Sequence, residues 1–203
     1  DAIMKRSVML GVLVAVGWLL AIAQRLHLVP RRFGIPTLRL RSLATPLPAG
    51  ELATSLYGDL VAVAADTAVV VYDPQAKRSP VVIRVPGHAR DVAFSPSGHR
   101  IYVARDDRDL LILDRFSGDP LGAITLPGPA RSLRGDEYGR YLLVRPAEGD
   151  SAWVVDVGAA RFTGGVATEW GVDLPAVAAP NTLLLRRGSD VAGLDLTADG
   201  FPE

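Results

Sequence analysis

The chain begins with one unbroken apolar run. Residues 8–23, VMLGVLVAVGWLLAIA, are all apolar or glycine, with Lys5 and Arg6 before them and Gln24, Arg25 and His27 after. As a helix this run rises about 24 Å. Leu26, Leu28 and Val29, with Arg25 snorkelling, extend it to the thickness of a bilayer core. Pro30 then stops the helix. The pattern predicts a single transmembrane anchor over residues 1–29. The basic start, apolar core and Ala21-Ile22-Ala23 also fit a secretory leader with a small-residue cleavage site. However, the stretch before Gln24 is unbroken helix formers with no polar segment, so an uncleaved anchor is the expectation. Trp18 is mid-span, too deep for a headgroup anchor, and is counted among the interaction candidates.

The pattern changes after the anchor. Residues 30–50 carry Pro30, Pro36, Pro46 and Pro48 with Gly34 and Gly50, which reads as a neck. Within it residues 37–43, TLRLRSL, alternate apolar and polar, the period of a strand. From residue 51 onward helical periodicity gives way to short β-branched runs between Gly, Pro, Asp and Ser turns, the pattern of an all-β domain.

Those runs repeat. Asp73 closes VVVYD, Asp114 closes LLILD, Asp156 closes AWVVD and Asp195 closes VAGLD, at spacings of 41, 42 and 39. Thirteen residues before three of them, at Leu60, Ile101 and Thr182, another apolar strand begins. In the third unit the matching strand starts at Tyr141, fifteen residues before Asp156, so its hairpin is longer. Pro86-Gly87 and Ala89-Arg90 recur 41 residues on as Pro127-Gly128 and Ala130-Arg131. A unit of about 41 residues with four short strands is a propeller blade, which buries its faces only by stacking on neighbours.

Residues 89–128 are the clearest unit. They combine Phe94-Ser95-Pro96-Ser97-Gly98 at a first turn, Arg100-Ile101-Tyr102-Val103-Ala104 as a second strand, and Leu113-Asp114 with Ser117-Gly118 at a third turn. This resembles the YVTN and WD-repeat propeller families. The WD tryptophan is missing, since Tyr72, Leu113, Val155 and Leu194 precede the four aspartates. That favours the YVTN-like branch, often extracytoplasmic. The resemblance implies an all-β, propeller-like stack of about four blades, at about 51–86, 87–128, 129–170 and 171–203. Residues 51–203 hold about 3.7 such units, and the last lacks its outermost strand. Three outcomes stay open: closure by the strand at 37–43, an incomplete or open stack, or continuation beyond Glu203. The incomplete or open stack is favoured.

Charge and composition narrow the function. Lys plus Arg and Asp plus Glu both number 22, whereas a nucleic-acid binder is usually basic overall. With no cysteine, disulfides, thiolate metal sites and cysteine nucleophiles are excluded. Only three histidines are present, His27, His88 and His99. In the WD family a histidine placed like His88 commonly bonds within the blade, and His99 is expected at the surface. Asp106, Asp107 and Asp109 crowd one hairpin and form a weak calcium candidate. Arg105 and Arg108 interrupt them, and neither a glycine nor a bidentate Glu completes the loop, so a solvated turn is expected. Glu137, Glu148 and Glu169 are scattered, and no nucleophile motif or phosphate loop is present. No catalytic residue and no cofactor are therefore expected. The repeated aspartates read as turn caps.

Twenty arginines face only Lys5 and Lys77. Arg25, Arg31, Arg32, Arg39 and Arg41 follow the span closely and can bind lipid headgroups or an acidic partner. By Lys and Arg count alone they place the β domain in the cytoplasm. The leader-like order and the YVTN likeness argue for the periplasmic face of a bacterial-type inner membrane, which is the expectation. Trp153 reads as core. Trp170, in the link Thr168-Glu169-Trp170-Gly171, is the better candidate for a partner contact. The expected function is a non-catalytic, single-pass accessory subunit docked among integral membrane subunits of a respiratory or photosynthetic complex. The alternative is a cell-envelope sensor or ligand-binding propeller, which requires polar residues converging on one end of the blades. A propeller enzyme is the lesser alternative.

Overall fold

The computed structural model describes residues 47, 49–75, 78–178 and 181–197. The anchor expected over 1–29 and the strand expected over 37–43 lie outside these residues, as do Trp18, Arg25, Arg31, Arg32, Arg39 and Arg41. Among the described residues no helix is long and apolar enough to cross a membrane. Every element below belongs to the unit Leu43–Glu203.

The described residues form an all-β array of antiparallel sheets with strands in chain order. The first sheet is β1 (Leu52–Thr54), β2 (Val61–Ala65), β3 (Ala68–Tyr72) and β4 (Val81–Arg84). The second is β5 (Ala89–Phe94), β6 (Arg100–Arg105), β7 (Asp109–Asp114) and β8 (Pro120–Thr125). The third is β9 (Ala130–Gly135), β10 (Tyr141–Pro146), β11 (Ser151–Asp156) and β12 (Arg161–Ala167). A short helix, α1 (Trp170–Asp173), leads to a three-stranded sheet of β13 (Ala176–Ala178), β14 (Thr182–Arg187) and β15 (Asp190–Asp195). Several four-stranded meanders stacked in this way make part of a propeller.

The continuous apolar runs of the middle strands have a physical cause. Ala68 to Tyr72 of β3 are buried at every position, so both faces of the strand are covered. In β6 the alternation divides the side chains between two neighbours. Ile101 and Val103 pack with the first sheet, while Tyr102 and Ala104 pack with Ala130, Leu142 and Val144 of the third. Leu143 and Val154 of the third sheet meet Leu183, Leu185 and Leu194 of the fourth. Each fully buried Leu, Ile or Val contributes about 1.5–3 kcal/mol, and none could be buried on both faces without a stacked neighbour.

Turn chemistry repeats with the strands. Ser55, Ser95 and Asp136 open the three first turns, and each side chain accepts the N–H five residues on. The partners are Leu60 at 3.1 Å, Arg100 at 3.0 Å and Tyr141 at 3.0 Å. Gly58, Gly98 and Gly139 complete these turns at φ +66°, +68° and +74°. At the strand ends Asp73, Asp114, Asp156 and Asp195 each accept a backbone N–H two or three residues on, from Gln75, Phe116 and Ser117, Ala159, and Thr197 respectively. These bonds hold the Asp114 and Asp195 carboxyls below the usual range, with the Thr197 hydroxyl the first cause at Asp195. The second-to-third-strand loops run over 66–67, 106–108, 147–150 and 188–189, longest in the third unit.

Among the described residues the fourth sheet has no strand beyond β15. Its Leu183 and Leu194 face the third sheet, while Val191 on the opposite face is 68% exposed.

Candidate binding cavity

The inner strands β1, β5 and β9 lie side by side. Where they meet the first turns, they border an open cavity of about 490 Å³. Its lining residues include the acids Glu51, Asp91, Asp136 and Glu137 and the hydroxyl-bearing Ser55, Ser95, Ser132 and Tyr102. No arginine, lysine or histidine is among the described residues that line it. Exposed Tyr57 (83%) and Tyr138 (58%) belong to the first turns of the first and third sheets, at this same end.

Asp91 is placed by a bulge. Pairing between β5 and β6 skips Arg90, and pairing between β9 and β10 skips Arg131 41 residues later. A bulge re-aims the side chain that follows it. The Asp91 side chain is carried to the sheet boundary, where Oδ1 accepts the Val92 N–H and Oδ2 the Leu133 N–H, both at 2.7 Å. The residue is only 6% exposed. Burial pushes its carboxyl above the usual range against those two bonds, and nearby Glu51 adds to the rise.

Asp136 sits on the third first turn. Its Oδ2 holds Tyr141 N–H, while Oδ1 is buried and makes no hydrogen bond of ordinary geometry. Burial raises its carboxyl too, only partly offset by the N–H groups of the turn. Tyr102 is 1% exposed, and its buried hydroxyl has the Arg100 side chain as its hydrogen-bonding neighbour. Burial raises that phenol, and neighbouring Arg100 offsets only part of the effect. The described cavity wall therefore carries four acidic residues and no basic one.

The sequence-derived candidates lie elsewhere. Asp106, Asp107 and Asp109 share a hairpin, but each carboxylate is engaged locally: Asp106 by Arg90, Asp107 by Arg105 at 2.8 Å, and Asp109 by the Thr125 hydroxyl at 2.9 Å. Among the described residues no group of His, Cys, Asp or Glu is arranged to hold a metal. Trp170 starts α1 half-buried and packs on the core of the third and fourth sheets, and its indole N–H donates to Ser151 O at 2.7 Å. Trp153 packs in the core edge-on to Phe162. His88 meets Asp66 at 3.1 Å in the open, and exposed His99 contacts Phe116 edge-on. The sequence reading missed the cavity acids, apart from noting Glu137 as a scattered loop residue. One signal was available: Asp136 stands where the other two units have serine.

No protein family and no curated protein matches the chain detectably. Solved structures do share its shape. Hydrazine synthase from Kuenenia stuttgartiensis superposes with a TM-score of 0.55 at 15% identity, covering 79% of this chain and 49% of that one. AztD from Citrobacter koseri superposes with a TM-score of 0.55 at 18% identity, covering 77% of this chain and 46% of that one. The chain thus spans about half the length of these structures. Both contain β-propeller domains, and the likeness shows that the described part of this chain has the fold of part of a β-propeller.

Proposed function

We propose that this chain is a non-catalytic ligand-binding module of the cell envelope, working through the cavity at the first-turn end of its blades. One observation carries the reading. Glu51, Asp91, Asp136 and Glu137 come from three separate sheets, yet all line one cavity. A volume near 490 Å³ falls in the range of small-molecule sites. The reading includes a single-pass anchor in a bacterial-type inner membrane, with the β domain on the periplasmic side. The test is a thermal-shift survey of the full chain in mild detergent against cationic, neutral and anionic metabolites. At least one class is expected to raise Tm, and Tyr102→Phe to reduce that rise. No shift with any class overturns the reading.

A second reading is an accessory subunit docked among integral membrane subunits and lipid headgroups. It is supported by the fourth sheet, where three strands stand in place of four among the described residues and Val191 is exposed. An unpaired strand edge is a ready site for another chain. Purification in mild detergent is expected to bring down stoichiometric membrane partners, and deletion of residues 1–32 to release them. A chain recovered alone, or a deletion that still co-purifies at full yield, overturns it.

A further inference from the structure

The internal repeat shows what stands beside the third strand of a unit. Val69, Leu110 and Ala152 lie four residues before Asp73, Asp114 and Asp156, and Val191 lies four before Asp195. In the first three sheets that residue pairs with a β-branched residue of the outer strand: Val69 with Ile83, Leu110 with Ile124 and Ala152 with Val166. All three are 0% exposed. Val191 has neither an outer strand beside it nor a further sheet over it among the described residues, and is 68% exposed.

The edge is set to accept a strand. Leu196 N–H donates to Asn181 O at 2.8 Å, which fixes the phase of the β14–β15 ladder. Hydrogen-bonded pairs alternate along antiparallel strands. Val191 and Gly193 therefore turn their N–H and C=O groups away from β14, towards the open edge. Asp190 adds a side-chain signal. Its counterpart in the second unit, Asp109, accepts the hydroxyl of Thr125 at 2.9 Å, and Thr125 directly follows Ile124 on the outer strand.

We propose that the β15 edge takes up an extended segment of another protein, laid antiparallel along Val191 and Gly193. The segment carries a β-branched residue opposite Val191 and, directly after it, a donor such as Thr, Lys or Arg opposite Asp190. The inference rests on the accessory-subunit reading above and names how that partner is gripped. In strand addition main-chain bonds give affinity and alternate side chains give the choice of partner. Exposed Asp190 and Asp195 at the two ends of β15 favour a basic segment over an acidic one. A second copy suits the edge poorly. Two-fold pairing sets Val191 only against an outward residue of the copy: Asp195, Gly193 or Val191. The first puts a carboxylate on it, the second leaves it bare, and the third runs the ladder into the turn at Gly188 and Ser189.

The probe is a fluorescent synthetic peptide of residues 119–127, the chain's own outer strand from the second unit. It is titrated into the full chain in mild detergent and read by anisotropy. Saturable binding is expected, about tenfold weaker or more when the peptide carries Ile124→Asp. Val191→Pro removes an outward N–H and no bond to β14, and is expected to weaken binding about tenfold or more with Tm within a few degrees. Asp190→Asn is expected to weaken it several-fold. The Val191→Pro chain is also expected to lose the membrane partners that the wild type brings down. No saturable binding, or equal affinity for the two peptides, overturns the proposal, and the peptide comparison decides even if Val191→Pro folds poorly. Partners that stay on Val191→Pro overturn the edge as their dock and leave the accessory-subunit reading standing. A wild-type chain recovered alone overturns both. A dimer dispersed by Val191→Pro assigns the edge to a second copy. Peptide binding seen only with Arg39→Glu and Arg41→Glu assigns it to residues 37–43. Either result overturns the partner.

Discussion

The Asp91 carboxylate accepts the Leu133 backbone N–H at 2.7 Å across a sheet boundary, from a residue 42 positions away. One oxygen pins the strand that carries it, at Val92, and the other pins the inner strand of the next sheet. Two blade edges are thus tied at the point where the cavity begins.

Asp91→Ala takes the side-chain acceptor from both N–H groups. At about 1–3 kcal/mol per orphaned donor, a loss of roughly 2–4 kcal/mol is expected in urea unfolding. Asp91→Asn keeps one acceptor and is expected to lose about half as much. Equal stability of wild type and Asp91→Ala would show that the bridge holds nothing together.

The same residue sets a pH dependence with a defined sign. Its folded pKa lies above the ordinary 3.8, with burial the first cause. Between the two values the native state binds more protons than the unfolded state, so stability falls as pH rises through that window. Wild type is therefore expected to gain stability relative to Asp91→Asn as pH falls from neutral, and to stop gaining below about 3.8. Unfolding curves of the two proteins at matched pH check this, and a gap that stays constant or shrinks on acidification contradicts it.

Gly139 and Gly98 hold equivalent turns at φ +74° and +68°, but only Gly139 is crowded. A Cβ there would lie 1.8 Å from Pro96 Cγ, whereas at Gly98 nothing stands within 4 Å. Gly98→Ala is expected to cost the left-handed penalty alone, about 1–2 kcal/mol. Gly139→Ala adds a clash between adjacent turns and is expected to cost at least twice that. Melting of the two variants side by side provides the comparison, and similar losses would mean the turns separate freely.

Asn181 joins the third sheet to the fourth. Its Oδ1 accepts from Arg140 Nη1 at 2.7 Å and from the Tyr141 hydroxyl at 3.2 Å. Asn181→Ala is expected to cost about 1–2 kcal/mol, and to speed amide exchange in β14 and β15 before β6 and β7. Uniform acceleration throughout the domain would show that the fourth sheet does not open on its own.

Much of the fold is legible because its causes are local. Ser95-Pro96-Ser97-Gly98 is a hairpin by its own chemistry, and Asp73, Asp114, Asp156 and Asp195 bond N–H groups within three residues. The site is not local. Glu51, Asp91 and Asp136 are 40 and 45 residues apart in sequence, and no periodicity links a strand residue to a turn residue of the next sheet. Trp170 shows the same limit from the other side: its link position marks it as a surface contact, while packing against the third and fourth sheets half-buries it and occupies its N–H.

The strands, their turns and the unit of about 41 residues follow from the order of the amino acids alone, because side-chain alternation and turn preference act over a few bonds. Which face of each sheet meets which neighbour emerges from the packing of the sheets. The same packing has a bulge at Arg90 turn Asp91 across a boundary and brings four acids to one cavity. Those outcomes depend on burying both faces of the middle strands of the first three sheets at once, and that is a property of the stack, not of any one blade.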